Sequence, residues 1–236
     1  MSTQTQLAAS HSSLQIGFLG RPMAAQRELH DFFFKEAKRK GYRSRAAYKL
    51  TEIDDKKHVL KKRDVVLDLG CAPGSWLQVV SQRIGPRGKA VGVDLKAIDQ
   101  TNLPENVVTI QDDVTALTPD TFGGDLFDVL LSDMAPNTTG VRTTDHYGSV
   151  RLCHCALDLA TTLLTPHGNL VMKVLEGEAY PELLDRCSQM FAQSKGFKPK
   201  ASRAISTEMF VVCIDRNEEL QPPMQIAPAP PAPGWQ

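Results

Sequence analysis

Short apolar runs bounded by Asp, Gly or Pro alternate along this chain with longer segments of helical spacing, and that alternation leaves few folds open. Strands are expected at Val65–Leu69, Lys89–Asp94, Val107–Gln111, Phe127–Ser132, Leu170–Leu175 and Met209–Ile214, with a short one at Phe197–Lys200. Helices are expected at Arg45–Ile53, Ser75–Ile84, His146–Leu164 and Pro181–Lys195. The last strand follows its neighbour after too few residues for a helical crossover, so it should pair antiparallel. The fold class is therefore α/β, a seven-stranded and mostly parallel sheet with the last strand antiparallel.

A chain of 236 residues with 42% hydrophobic content can bury one substantial core. No apolar run has the length needed to cross a bilayer, so no membrane partner is expected. Five cysteines form an odd set with no secretory-type leader ahead of them, which argues against a disulfide scaffold and for a reducing compartment. A cytoplasmic monomer is the expectation. Arg21 and Arg27, with no acid before Glu28, leave organellar placement open. Residues 1–30 read as a flexible N-terminal arm, 31–216 as the folded domain with a basic helical segment at its start, and 217–236 as a proline-rich tail.

Net charge is zero, but twelve Lys and Arg against four acids between Lys35 and Arg63 leave a local excess of eight. Such a patch suits a phosphate backbone, or else a solvated helix face. The first strand ends in Asp68-Leu-Gly70-Cys71-Ala-Pro73-Gly74-Ser-Trp76, and the second in Gly92-Val-Asp94. Glycines there let backbone approach a ligand, and an acid closing the second strand can accept from a ribose diol. The Gly-x-x-x-Gly spacing and the missing N–H of Pro73 disfavour a dinucleotide and its oxidoreductase chemistry. S-adenosylmethionine fits better, with Asp68 or its loop near the amino-acid end. Asp112 or Asp113, closing the third strand, could accept from an adenine amine. Trp76 either caps the methionine region or packs the first helix on the sheet.

Lys173 is a charge in an apolar central strand, Lys49 shares a helix face with Ala46, Leu50 and Ile53, and Glu208 enters the final strand, where an edge acid is ordinarily exposed. Asp133 closes the fourth strand, at the edge where open α/β sheets bind ligands. The following Met-Ala-Pro-Asn137 lacks an arrangement for stacking a flipped base, which favours a ribose hydroxyl as methyl acceptor. A neutral Lys173 could take the hydroxyl proton; Lys49 nearby favours that form by like-charge repulsion, while Asp133 and Glu208 favour charged lysines. Cys153-His154-Cys155 lacks further ligands for a metal, and none is expected. Asp145 reads as a helix N-cap.

Five segments together resemble the FtsJ-like ribose 2'-O-methyltransferases, the heat-shock methyltransferase family acting on large-subunit ribosomal RNA. They are Gly41–Leu50, Asp68–Trp76, Leu131–Asn137, Val171–Glu178 and Ser202–Glu208, within residues 31–215. The resemblance implies a Rossmann-like S-adenosylmethionine-dependent methyltransferase fold and a catalytic tetrad on Lys49, Asp133, Lys173 and Glu208. It also implies that Asp68, Gly70, Cys71, Pro73, Gly74, Trp76 and Asp133 line the cofactor pocket, that Asp94 meets the ribose and Asp113 the adenine. Lys38, Arg39, Lys40, Arg43 and Arg45 would face RNA. The implied target is a uridine of ribosomal RNA within a large subunit or its precursor. Transfer RNA, an mRNA cap and a noncatalytic RNA-binding module remain the alternatives.

Overall fold

The computed structural model describes residues 32–202 and 206–218. The expected N-terminal arm and the proline repeats of the tail lie outside the described residues. Helical residues at 32–39 (α1) precede α2 (Ala47–Lys57), and β1 (Val65–Leu69), α3 (Ser75–Ile84), β2 (Lys89–Asp94) and β3 (Val107–Gln111) follow. Then come β4 (Phe127–Ser132), α4 (Arg142–Leu163), β5 (Leu164–Leu175), α5 (Tyr180–Met190), β6 (Phe191–Phe197) and β7 (Glu208–Arg216). The sheet order is β3-β2-β1-β4-β5-β7-β6, parallel except that β7 runs antiparallel to both of its neighbours.

Strand alternation divides the interior into two layers. Leu67, Leu69, Val91, Val93, Leu170, Met172, Val174 and Val211 pack against Leu157 of α4 and Leu183 of α5. Val66, Ala90, Val129, Leu131, Val171 and Phe210 face the other way, onto Leu50 and Ile53 of α2 and Leu77 and Val80 of α3. Both faces are covered, so the central strands are predominantly apolar. Continuing the parity toward the strand ends puts Asp68, Asp133, Lys173 and Glu208 on the α2/α3 face. Four of the polar groups thus follow from the pleat alone.

Several boundaries differ from expectation. The helix expected to reach Lys195 stops at Met190, and the strand expected at Phe197–Lys200 lies earlier, at Phe191–Phe197. Local spacing permits helix there, but pairing from Phe191↔Arg216 to Phe197↔Phe210 supplies a full ladder, and Gly196 admits the Tyr180 hydroxyl where a Cβ would collide. Glu208 is not on an edge strand, because β6 covers the outer side of β7. Asp145 is not the N-cap of α4, which begins at Arg142. Its carboxylate reaches back to accept from Thr139 N at 2.7 Å, Thr139 Oγ1 at 2.9 Å and Gly140 N at 3.2 Å, fixing the loop after β4. The backbone bond from Thr139, chiefly, holds its carboxyl below the ordinary range. β5 starts at Leu164 rather than Leu170; between Phe127↔Leu164 and Val129↔Asn169 the register shifts, leaving a bulge around Pro166–Gly168.

Candidate active site

The tetrad residues meet as two ion pairs at the C-terminal edge of the sheet. Lys49 Nζ donates to Glu208 Oε2 at 2.8 Å, and Ser202 Oγ donates to Glu208 Oε1 at 2.7 Å. Helix α2 delivers Lys49 because Ala47, Leu50 and Ile53 are fully buried beside it, leaving the lysine stem over the Phe210 ring, 5.7 Å from Nζ to centroid. Burial pushes the Glu208 carboxyl up, but the Lys49 charge, the bonds from Lys49 and Ser202 and the Lys173 charge outweigh it, so the net displacement is downward.

Lys173 Nζ donates to the Asp133 carbonyl at 2.6 Å and lies 3.0 Å from Asp133 Oδ1, a close contact without hydrogen-bond alignment. The strand behind it is braced from α4. Cys153 Sγ donates to Lys173 O at 3.1 Å, and Leu175 N donates to Ser149 Oγ at 3.0 Å. Buried His146 bonds Leu175 O through Nδ1 at 2.6 Å and accepts from Ala179 N at Nε2 at 2.9 Å, which fixes a neutral imidazole with its proton on Nδ1. Sequence reading gave His146 only a helix start; its partners lie 29 and 33 residues away, so local pattern held no signal for them.

The glycine loop sits one strand along. Asp68, level with Gly92 and Leu131, is fully buried, and neither carboxyl oxygen has a hydrogen-bond partner among the described residues. Burial first, then the Asp133 and Asp94 charges, push its pKa well above the ordinary carboxylate range, which favours the protonated form. Gly70 adopts φ 72°, and a Cβ there would lie 2.6 Å from Met134 Cγ; glycine is what lets the β4 loop close on the β1 loop. The Cys71 thiol, raised chiefly by burial, packs over Gly92, where an added Cβ would meet Sγ at 2.7 Å. Asp94 binds the loop directly, accepting from Ala72 N and Lys96 N, both at 2.9 Å. Lone pairs remain on that carboxylate for a ribose diol.

The other expected site residues have these surroundings. Trp76 is 2% exposed, gives its indole N–H to Ala46 O at 2.9 Å and stands 5.7 Å from the Phe210 ring, which is the packing alternative. Asp113 is exposed at the end of β3, and one oxygen accepts from Thr115 N and Oγ1; the backbone bond chiefly holds its pKa below the ordinary value. Its second oxygen faces no described donor. Arg39 pairs with Glu36 at 2.7 and 2.5 Å, and Lys40 stands 3.5 Å from the same carboxylate; the Arg39 bond leads in drawing Glu36 down to about 2. Lys38 is exposed on α1. Arg43 bonds three backbone carbonyls, including Pro73 O at 2.9 Å, while Gly74 at φ 98° opens α3. Arg45 Nη1 reaches Ala201 O at 3.4 Å.

Among the described residues no three His, Cys, Asp or Glu converge on a metal position. His154 accepts from Arg186 Nη1 at 2.7 Å and Cys153 points into the core, so the Cys-His-Cys run is dispersed. The donor set instead fits S-adenosylmethionine: an orphaned buried acid, a close-approach glycine loop and an acid with lone pairs to spare are gathered at one sheet edge.

The model of the FtsJ-like methyltransferase family matches residues 42–216. A ribosomal RNA large subunit methyltransferase E of Rhodopseudomonas palustris is 44% identical over 195 residues, covering 80% of this chain and 82% of the relative. The same-named protein of Desulfatibacillum aliphaticivorans is 42% identical over 185 residues, covering 77% and 88%. The crystal structure of a Plasmodium falciparum protein assigned as a ribosomal RNA methyltransferase superposes with a TM-score of 0.65 at 30% identity, over 74% of this chain and 98% of that one. With a family model spanning the sheet from α2 to β7 and relatives matched over most of their length, this chain belongs to the FtsJ-like methyltransferases.

Proposed function

We propose that Lys49, Asp133, Lys173 and Glu208 form the catalytic set of this enzyme, with Lys173 taking the proton from the acceptor hydroxyl. The reaction is S-adenosylmethionine-dependent methyl transfer to a ribose 2'-hydroxyl of large-subunit ribosomal RNA. The observation that carries the residue assignment is the placement of Lys173 at the ligand-binding edge of the sheet, facing Asp133 at 3.0 Å.

S-adenosylmethionine supplies, when bound, a methyl group activated by its sulfonium. The remaining work falls to the chain. A neutral Lys173 has two N–H groups, one of which serves the Asp133 carbonyl, and its lone pair is left for the hydroxyl proton. The ammonium formed by that transfer faces the Asp133 carboxylate, so charge developing at Nζ is met by a group already in place. Lys49 is engaged by Glu208, which holds it as a fixed cation at the site.

Asp68, Gly70, Cys71, Pro73 and Gly74 shape the cofactor end in this reading, Asp94 takes the ribose diol and Asp113 the adenine amine, while Trp76 supports the pocket from beneath. Lys38, Arg39, Lys40 and Arg45 supply the RNA-facing charge. The proposed target is a uridine, the working unit a monomer, and the setting a large subunit or its precursor in the cytoplasm. No described helix is long and apolar enough to cross a membrane.

Methylation assays on ribosomal particles and transcripts, with mapping of the modified nucleotide, test the assignment. Lys173→Met should abolish transfer while cofactor affinity stays close to that of the parent; transfer at near the parent rate refutes the role of Lys173.

A further inference from the structure

Arg43 belongs to the basic segment whose charges the sequence directs at RNA, yet its guanidinium is committed to the protein's own backbone. Nη1 donates to Pro73 O at 2.9 Å; Nη2 donates to Asp99 O at 2.6 Å and to Thr101 O at 2.7 Å. The first carbonyl lies in the glycine loop after β1, and the other two lie in the loop after β2. These loops wall a groove of about 550 Å³ that includes Ala72, Pro73, Ile98 and Thr101, and Arg43 crosses between its walls. Gly74 approaches the same guanidinium so closely that a Cβ there would stand 3.3 Å from Nη1.

The rest of the segment locks Arg43 in place. Arg43 N donates to Gln78 Oε1 at 2.9 Å, and Gln78 Nε2 donates to Gly41 O at 3.0 Å. Tyr42 Oη donates to Gln82 Oε1 at 2.9 Å, and the hydroxyls of Ser44 and Ser75 share a bond of 2.8 Å. Ser75, Gln78 and Gln82 all lie on α3, the helix that the glycine loop opens, whereas Ala47, just past this segment, opens the helix bearing Lys49. A planar fork with fixed N–H directions can hold three carbonyls from two loops, and an ammonium on a flexible stem cannot.

We propose that Arg43 is a positioning residue for the cofactor: it fastens the glycine loop to the β2 loop, and so holds the loop that carries Gly70 and Gly74 in place beside the strand end that carries Asp94. The proposal rests on the reading that the glycine loop binds S-adenosylmethionine. It removes Arg43 from the set that recognises RNA phosphate.

Calorimetric titration of S-adenosylmethionine into the parent, Arg43→Lys and Arg43→Met proteins tests it, alongside binding of a large-subunit ribosomal RNA transcript across a salt series. Both variants should bind cofactor about ten-fold more weakly, the cost of losing charge-assisted hydrogen bonds. The cofactor KM should rise in step, with kcat at saturating cofactor within about two-fold of the parent. The salt slope for RNA should not change. Unaltered cofactor affinity in both variants, or an RNA salt slope reduced by about 0.7–0.9 in Arg43→Met with Arg43→Lys like the parent, overturns the proposal. Arg43→Lys keeps the charge, so it separates loop fastening from phosphate attraction even if Arg43→Met folds poorly. A parent that binds no S-adenosylmethionine would instead refute the reading of the glycine loop.

Discussion

Replacing Lys49 with methionine isolates what the Lys49–Glu208 pair contributes. The two side chains are 10% and 14% exposed and 2.8 Å apart, so the pair falls between two known regimes. Breaking a fully buried pair costs about 3–5 kcal/mol, whereas an exposed one contributes about 0–1 kcal/mol. Glu208 retains the Ser202 bond after the substitution and can relieve its burial by taking up a proton, so Lys49→Met should cost about 2–3 kcal/mol at pH 7. Glu208→Gln leaves Lys49 the Phe210 ring, worth about 0.5–1 kcal/mol, and should cost about 2 kcal/mol. The double variant should be little worse than either single one, giving a coupling energy of about 2 kcal/mol from urea unfolding followed by circular dichroism. The folded Glu208 carboxyl has its pKa held below the unfolded value, so this stabilisation is complete above the unfolded carboxylate range and is lost as pH falls through the folded value. A coupling below about 0.5 kcal/mol at pH 7, or one that persists unchanged in acid, would refute the treatment of the pair as enclosed and charged.

Asp68→Asn should flatten the pH dependence of stability: the folded carboxyl is raised by burial, so the parent loses stability as pH climbs above the unfolded carboxylate range, and the variant lacks that loss. Coincident profiles of urea midpoint against pH would count against an Asp68 carboxyl raised by burial. Gly177→Ala places a Cβ 2.5 Å from His146 Cγ and 2.6 Å from Nδ1, so it must displace the ring that braces Leu175 and Ala179. A destabilisation of about 1–3 kcal/mol with slower turnover is expected, and an unchanged thermal midpoint would show that the brace is slack.

The first four strands and α3 were legible to the residue because each strand is a short, mostly apolar run closed by polar or turn residues, although β3, at the sheet edge, is only partly buried. β6 was not, since Ala192-Gln-Ser-Lys-Gly196 carries little pattern of its own, and its strand state comes from the ladder to β7. The site shows the same division. Lys173, an ammonium in an apolar strand, announced itself, and pleat parity alone places Asp133 beside it. That Lys49 meets Glu208, 159 residues on, followed from no local rule. Arg43 illustrates the limit most sharply: in a run of basic residues its charge looks solvent-directed, but its acceptors are carbonyls 30, 56 and 58 residues away, which carry no signature in sequence.

The bulge at the start of β5 bears on how tolerant this chain is of changes in length. Lys173 and Met172 project to opposite faces, so a one-residue slip of β5 would exchange an ammonium for a thioether at the reacting edge. Asn169–Met172 pair in register with β4 and Leu170–Leu175 with β7, while Pro166–Gly168 stand outside the ladder to β4. A residue gained or lost between α4 and Asn169 can therefore be taken up in that slack, upstream of the lysine. The irregular stretch acts as an expansion joint: it separates the length of the preceding helix from the register of the reacting edge.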